Sequence, residues 1–129
     1  MPELERRGRK ADADALYAQT VAPHDALCKD FPRGALVHND RAWLSACCRR
    51  DLDAALAHAR TATELEPHSA SFRDTLAEVY FQRGDKAKAI ELMQECRRQE
   101  PQRAYFAKQL HRFEAGDPGV PPPSETEDD

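Results

Sequence analysis

The chain has no apolar run approaching the ~20 residues that a membrane-spanning helix requires. It has no excess of positive charge either: 19 Lys and Arg stand against 23 Asp and Glu, a net charge of −4. That balance argues against a nucleic-acid binder, which needs a basic face to neutralise phosphates. The first residues, Met1 to Arg7, carry charge with no apolar segment behind them, so they do not read as a secretory signal, and a cytoplasmic location is expected. Cys28, Cys47, Cys48 and Cys96 form no C-x-x-C pair. Their spacing spells neither a disulfide framework nor a zinc site, and each reads as a small apolar residue. His24, His38, His58, His68 and His111 show no H-x-x-x-H spacing. No glycine-rich phosphate loop and no G-x-S-x-G is present. The expectation is no metal, no cofactor and no enzyme. A Cys–His pair would meet only in space, and a small hydrolase using Cys47 or Cys48 would show itself by rapid alkylation there.

The 129 residues, 40% hydrophobic, suffice for one domain with a modest core. They are rich in Ala, Leu, Arg and Glu and poor in β-branched residues, which favours helix throughout. Four prolines and five acidic residues crowd the stretch 116–129, which has no Lys or Arg. Without those five acids the chain has 19 basic against 18 acidic residues, so the acidity belongs to the tail. With one large apolar residue, Val120, the tail is expected to be disordered. The tight basic cluster Arg6-Arg7-Gly8-Arg9-Lys10 reads as a solvated helix end.

Sliding the sequence by 34 residues aligns like with like. Arg49 meets Arg83, Asp51 meets Asp85, Ala55 meets Ala89, Leu56 meets Ile90 and Ala62 meets Cys96. Glu66-Pro67 meets Glu100-Pro101, Phe72 meets Phe106 and Leu76 meets Leu110. The clearest unit runs from Ala70 to Pro101: apolar residues at helical spacing, a break at Arg83-Gly84-Asp85, a second helical pattern, then a proline stop. Ser69 suits an N-cap, Gly84 a left-handed cap and Asp85 the start of the next helix, so two antiparallel helices joined by a short turn follow. Arg83-Gly84-Asp85 also spells an adhesion tripeptide, but its Gly and Asp have turn duties here. The unit from Leu36 to Pro67 is less regular: one extra residue precedes its turn, which lacks Gly and offers Asp51 as a cap. Gln102 to Ala115 repeats half a unit through Phe106, Leu110 and Phe113, with Lys108, His111 and Arg112 expected to face water. Upstream, Glu3 to Phe31 carries Leu16, Tyr17, Val21, Leu27 and Phe31, and Pro23 predicts a kink or break there.

The unit at Ala70–Pro101 resembles the tetratricopeptide repeat: Leu76, Ala77, Tyr80, Gly84, Ala89, Cys96 and Pro101 stand in the order of that family's signature, though Arg73 replaces a usual apolar residue and Phe72 beside it serves instead. The resemblance implies an all-α, right-handed α-solenoid of antiparallel helix pairs. The expected division is a partial repeat at 1–34, repeat units at 35–68 and 69–101, a capping helix at 102–115 and the acidic tail at 116–129. It further implies a non-catalytic interaction scaffold holding a protein or peptide on the concave face of the first helices. By position this nominates Asn39, Trp43, Ser71, Asp74, Glu78 and Gln82. Trp43 has two readings, an inter-repeat filler or a groove residue. Asp74 and Glu78 would repel a carboxylate, which favours a neutral or basic peptide. Two units and flanking helices make an incomplete stack, so the N-terminal helix or another copy of the chain is expected to complete it. The alternative function is an accessory repeat segment that positions the catalytic domain of a larger signalling or enzymatic protein.

Overall fold

The computed structural model describes residues 10–123. The basic cluster up to Arg9 and the acidic tail end from Ser124 lie outside the described residues. Within them the chain forms six helices and no strand: α1 (Lys10–Asp30), α2 (Ala35–Cys48), α3 (Leu52–Leu65), α4 (Ala70–Gln82), α5 (Lys86–Gln99) and α6 (Ala104–Ala115). Three-residue turns reverse the chain between α2 and α3 and between α4 and α5, giving two helical hairpins. The first hairpin packs on α1 and the second on α6.

Helix boundaries follow local chemistry. The Ser69 hydroxyl accepts from the Phe72 N–H at 3.2 Å, and the Asp85 carboxylate accepts from the Lys88 N–H at 3.1 Å. Both satisfy amides that a helix start leaves bare. Gly84 sits at φ +92 with open space where a Cβ would be, so its use there is conformational and not steric. Arg83 donates to Asp53 at 2.7 Å, so the Arg83-Gly84-Asp85 tripeptide is engaged in turn and cap.

The first hairpin reaches the same geometry at greater cost. Its turn closes with Arg50 N–H on Ser45 O at 3.1 Å, matching Asp85 N–H on Tyr80 O at 2.9 Å. Arg49 therefore stands where the next hairpin has Gly84, at φ +59, and Asp51 follows at φ +53. Asp51 makes no cap bond, contrary to the expectation from sequence. Its carboxylate accepts instead from the Tyr17 hydroxyl of α1 at 2.9 Å. The extra residue lies within α2, which has 14 residues against 13 in α4. Ala42 and Ala77 are fully buried equivalents 35 residues apart, whereas Ala55 and Ala89 keep the spacing of 34.

Small residues set the helix spacing. Ala42, Ala46, Ala55, Ala59, Ala62, Ala77 and Ala89 expose no surface. Leu76 and Val79 of α4 pack against Ala42, Ala46, Ala55 and Leu56 of the first hairpin. On its other side α4 places Ala77 and Phe81 against Met93 and Cys96 of α5 and Phe106, Leu110 and Phe113 of α6. The Phe81 and Phe113 rings stand 4.7 Å apart, tilted by 39°. Burying Phe106 and Phe113 completely stabilises the end of the stack by about 1.5–3 kcal/mol each. Phe72 does take the apolar position beside Arg73, packing on Ala35 and Ala62.

Pro23 does not break α1, which runs unbroken for 21 residues. The proline is exposed, so the carbonyl it leaves without a donor can be solvated. Against α2 this helix buries little apolar surface: Ala13, Tyr17, Val21 and Cys28. Its anchors are polar. Tyr17 Oη lies 2.7 Å from Ser45 Oγ, Asp14 accepts from Arg50 at 2.8 Å, and buried Arg41 donates to Asp25 and Ser45. Leu16, Leu27 and Phe31 remain exposed.

Left-handed backbone strains a side chain that glycine would not carry. Arg49→Gly should therefore stabilise the fold by about 0.5–1 kcal/mol, the strain relief exceeding the added unfolded-state entropy. Urea unfolding of the variant should show a higher midpoint at unchanged slope. A lower midpoint would mean that the Arg49 side chain contributes more than its backbone costs.

Candidate functional site

The first helix of each hairpin and the terminal helix line one face. Asn39 and Trp43 are one turn apart on α2, and Ser71, Asp74, Glu78 and Gln82 follow along α4. From α6, Tyr105, Gln109 and Arg112 project onto the same face. Asn39, Trp43, Ser71 and Asp74 share a hollow of about 320 Å³ with Tyr105. Trp43 is half-buried on the wall of that hollow. Gln82 lies in a neighbouring cavity of about 680 Å³ with Cys47, Cys48, Arg49 and Arg112. Asn39, Trp43, Ser71 and Gln82 thus line the face as wall; buried Asp74 stands at the floor of the first hollow, and Glu78 lines neither hollow.

Asp74 and Glu78 are not free groove charges. Glu78 is 0% exposed and Asp74 6%. The Arg112 guanidinium donates to both Glu78 oxygens, at 2.5 and 2.9 Å. Gln109 Nε2 donates to Asp74 at 2.9 Å and to Glu78 at 3.2 Å, and its oxygen accepts from Arg112 at 2.9 Å. The Tyr105 hydroxyl donates to Asp74 at 3.1 Å. The Arg112 guanidinium also lies against a pair of rings, 5.1 Å from the Phe81 centroid and 5.6 Å from that of Phe113. Arg112 therefore does not face water as its place on a terminal helix suggested; only there can it meet the buried Glu78. Two charges leave water together only if their remaining donors and acceptors are filled: Gln109 and Gln82 donate to Glu78, and Gln109 and Val120 O accept from Arg112.

Sequence reading missed Arg112, Gln109 and Tyr105 as floor residues. A signal existed for one: Arg112 stands 34 residues after Glu78, so the same repeat position holds an acid and then a base. Adjacent helices bring equal repeat positions side by side, and opposite charges there pair.

The described start of the tail, Asp117–Pro123, is not helical but has partners. Gly116 at φ +82 ends α6 and turns the chain back. Arg112 Nε donates to Val120 O at 2.8 Å, and Gln82 Nε2 lies 3.3 Å from Pro118 O. Asp117 accepts from the Gly119 N–H at 2.9 Å, holding the bend. Pro123 ends in the hollow beside Trp43 and Tyr105.

Nothing here activates a thiol. Cys47 is exposed, yet loss of hydration on its buried side, with the Glu78 carboxylate adding, pushes its thiol up to about 12. Burial does the same to Cys96, also to about 12. Neither would be a thiolate at neutral pH. No histidine lines the cavity that holds Cys47 and Cys48.

Removing one partner of a buried ion pair leaves an uncompensated charge, at about 3–5 kcal/mol. Glu78→Ala should lower stability by that order in chemical denaturation. Glu78→Leu combined with Arg112→Leu should recover most of the loss, because the stranded charge is gone. A double variant as unstable as the single one would show that the pair itself is indispensable.

The comparisons agree with this architecture. A family model for the tetratricopeptide repeat matches residues 49–110. No curated protein matches the chain. The match opens at Arg49, just after the helix with the extra residue, and takes in the complete second hairpin and most of α6. Residues 49–110, a little under half of the chain, are thus similar to the tetratricopeptide repeat.

Proposed function

We propose that the chain is a non-catalytic interaction scaffold whose concave face, built by α2, α4 and α6, holds an extended proline-containing peptide of a partner protein. Tetratricopeptide repeats in general mediate protein interactions, which supports the scaffold role. The observation that carries the finer reading is the seating of Asp117–Pro123 on that face. Its bound groups are backbone carbonyls: Pro118 O faces Gln82 and Val120 O accepts from Arg112. Proline has no N–H and favours an extended backbone, so a proline-rich strand presents carbonyls to donors with little ordering cost.

The face also holds acceptors in reserve. Asn39 Oδ1 and Gln82 Oε1 are buried with no partner among the described residues. A peptide N–H from a residue between prolines would satisfy either. Asp74 and Glu78 are consumed by the floor, so their charge does not select a basic peptide; a partner of low charge fits. In this reading Asn39, Trp43, Ser71 and Gln82 touch the peptide, while Asp74 and Glu78 hold the floor beneath it.

Trp43 is the sole tryptophan and reports occupancy directly. A chain ending at Gly116 should bind a synthetic peptide copying residues 117–123 with a change in Trp43 emission. The full chain should bind the same peptide more weakly, since its own segment competes. Gln82→Ala in the shortened chain should weaken binding by roughly tenfold, as for a contact that contributes over 1 kcal/mol. No binding by the shortened chain would refute the groove reading.

One observation favours a second reading, in which the repeats form part of a larger signalling or enzymatic assembly. Leu16 and Phe31 are each 55% exposed, and Leu27 and Leu36 are exposed nearby. In a helical array such a stripe is where a further helix, from this chain type or another, would seat. If a second copy fills it, sedimentation should show a dimer that Leu27→Glu with Phe31→Glu converts to monomer. A monomer at all concentrations would exclude self-association.

A further inference from the structure

Cys28, His38 and His58 stand apart in the sequence and belong to three helices, α1, α2 and α3. Packing brings one donor atom of each within 4.8 Å of the others. Cys28 and His38 are buried and His58 is half-buried, so the cluster opens to solvent on one side.

With both rings neutral, hydrogen bonding sets their tautomers. His38 Nε2 lies 2.9 Å from Pro32 O. A carbonyl only accepts, so that nitrogen carries the proton and His38 Nδ1 presents a bare lone pair. His58 Nδ1 is 2.8 Å away and must donate to it. The rings stack with centroids 5.1 Å apart. A histidine braced through its far nitrogen by a backbone carbonyl, with its near nitrogen turned toward a second imidazole and a thiol, is oriented as metal-ligating histidines are. The donor set is one sulfur and two imidazoles with no oxygen, which suits zinc and not calcium or magnesium.

We propose that Cys28, His38 and His58 together bind one Zn²⁺ ion, leaving its fourth position to water on the side of His58. Zinc–nitrogen bonds of about 2.0–2.1 Å in tetrahedral geometry hold two nitrogens about 3.3 Å apart. The two rings need part by only about half an ångström, which the half-buried His58 allows. On binding, the Cys28 thiol releases its proton to solvent, and His58 moves its proton from Nδ1 to Nε2. His38 keeps the tautomer that Pro32 already sets. Arg41, the neighbouring cation, is paired with Asp25, one turn before Cys28 on α1. The ion would tie the last turn of α1 to the first hairpin, about 16 Å along the helix from the anchor at Tyr17.

Cobalt(II), a spectroscopic stand-in for zinc, tests this on the full-length reduced chain. One equivalent should produce a thiolate-to-cobalt charge-transfer band together with the visible bands of a tetrahedral site, and Zn²⁺ should bleach both. Cys28→Ser should abolish the charge-transfer band. His58→Gln, at a half-exposed position where folding is preserved and checked by circular dichroism, should weaken Zn²⁺ binding by roughly 100-fold or more. Cys47→Ser and Cys48→Ser should change neither. No charge-transfer band, or one lost with Cys47 or Cys48 and kept in Cys28→Ser, would overturn the proposal.

Discussion

Close approach of helices at alanine is the constraint from which the rest of this structure follows. A helical hairpin cannot bury both flanks by itself, so each must lie tightly on the next. Ala42, Ala55, Ala59, Ala77 and Ala89, all without exposed surface, let the helix axes come near enough for the large residues between them to interlock. Leu76 and Val79 then serve the first hairpin while Phe81 serves the second, although all three stand on α4. A bulkier residue at any of these alanines would force off-rotamer packing across two interfaces at once.

That spacing also explains the polar floor. Once α4 and α6 are fixed side by side, Glu78 and Arg112 are excluded from water as a pair. Their environment is filled by Gln109, Asp74 and Tyr105 and by the rings of Phe81 and Phe113. Apolar packing alone would tolerate sliding of α6 along α4. A network of directional bonds does not, so the terminal helix is held in one register.

The second hairpin was legible in the sequence because its signals are local. Ser69, Gly84 and Asp85 act within a few residues of where they stand, and the periodicity of Ala77, Ala89 and Cys96 needs no knowledge of the other helices. The turn of the first hairpin was less legible, because Asp51 is drawn from its cap by Tyr17, 34 residues earlier. Pro23 misled because its effect depends on which side of α1 faces water. Charge position misled most: Asp74, Glu78 and Arg112 are surface types by composition, and only the meeting of separate helices makes them interior. The cluster of Cys28, His38 and His58 is invisible to any spacing rule for the same reason. Trp43 could be placed only after the extra residue in α2 had been located in three dimensions.

The left-handed glycine after α6 fixes where the following segment lies. It tethers Asp117–Pro123 a few residues from the place where they sit. A short tether of this kind maintains a local concentration in the millimolar range. Even a feeble intramolecular contact is then mostly made. On the proposal that the face holds a peptide, this standing occupant would lower the apparent affinity of every outside sequence by one common factor, so that only a ligand with additional footholds would displace it at ordinary concentrations.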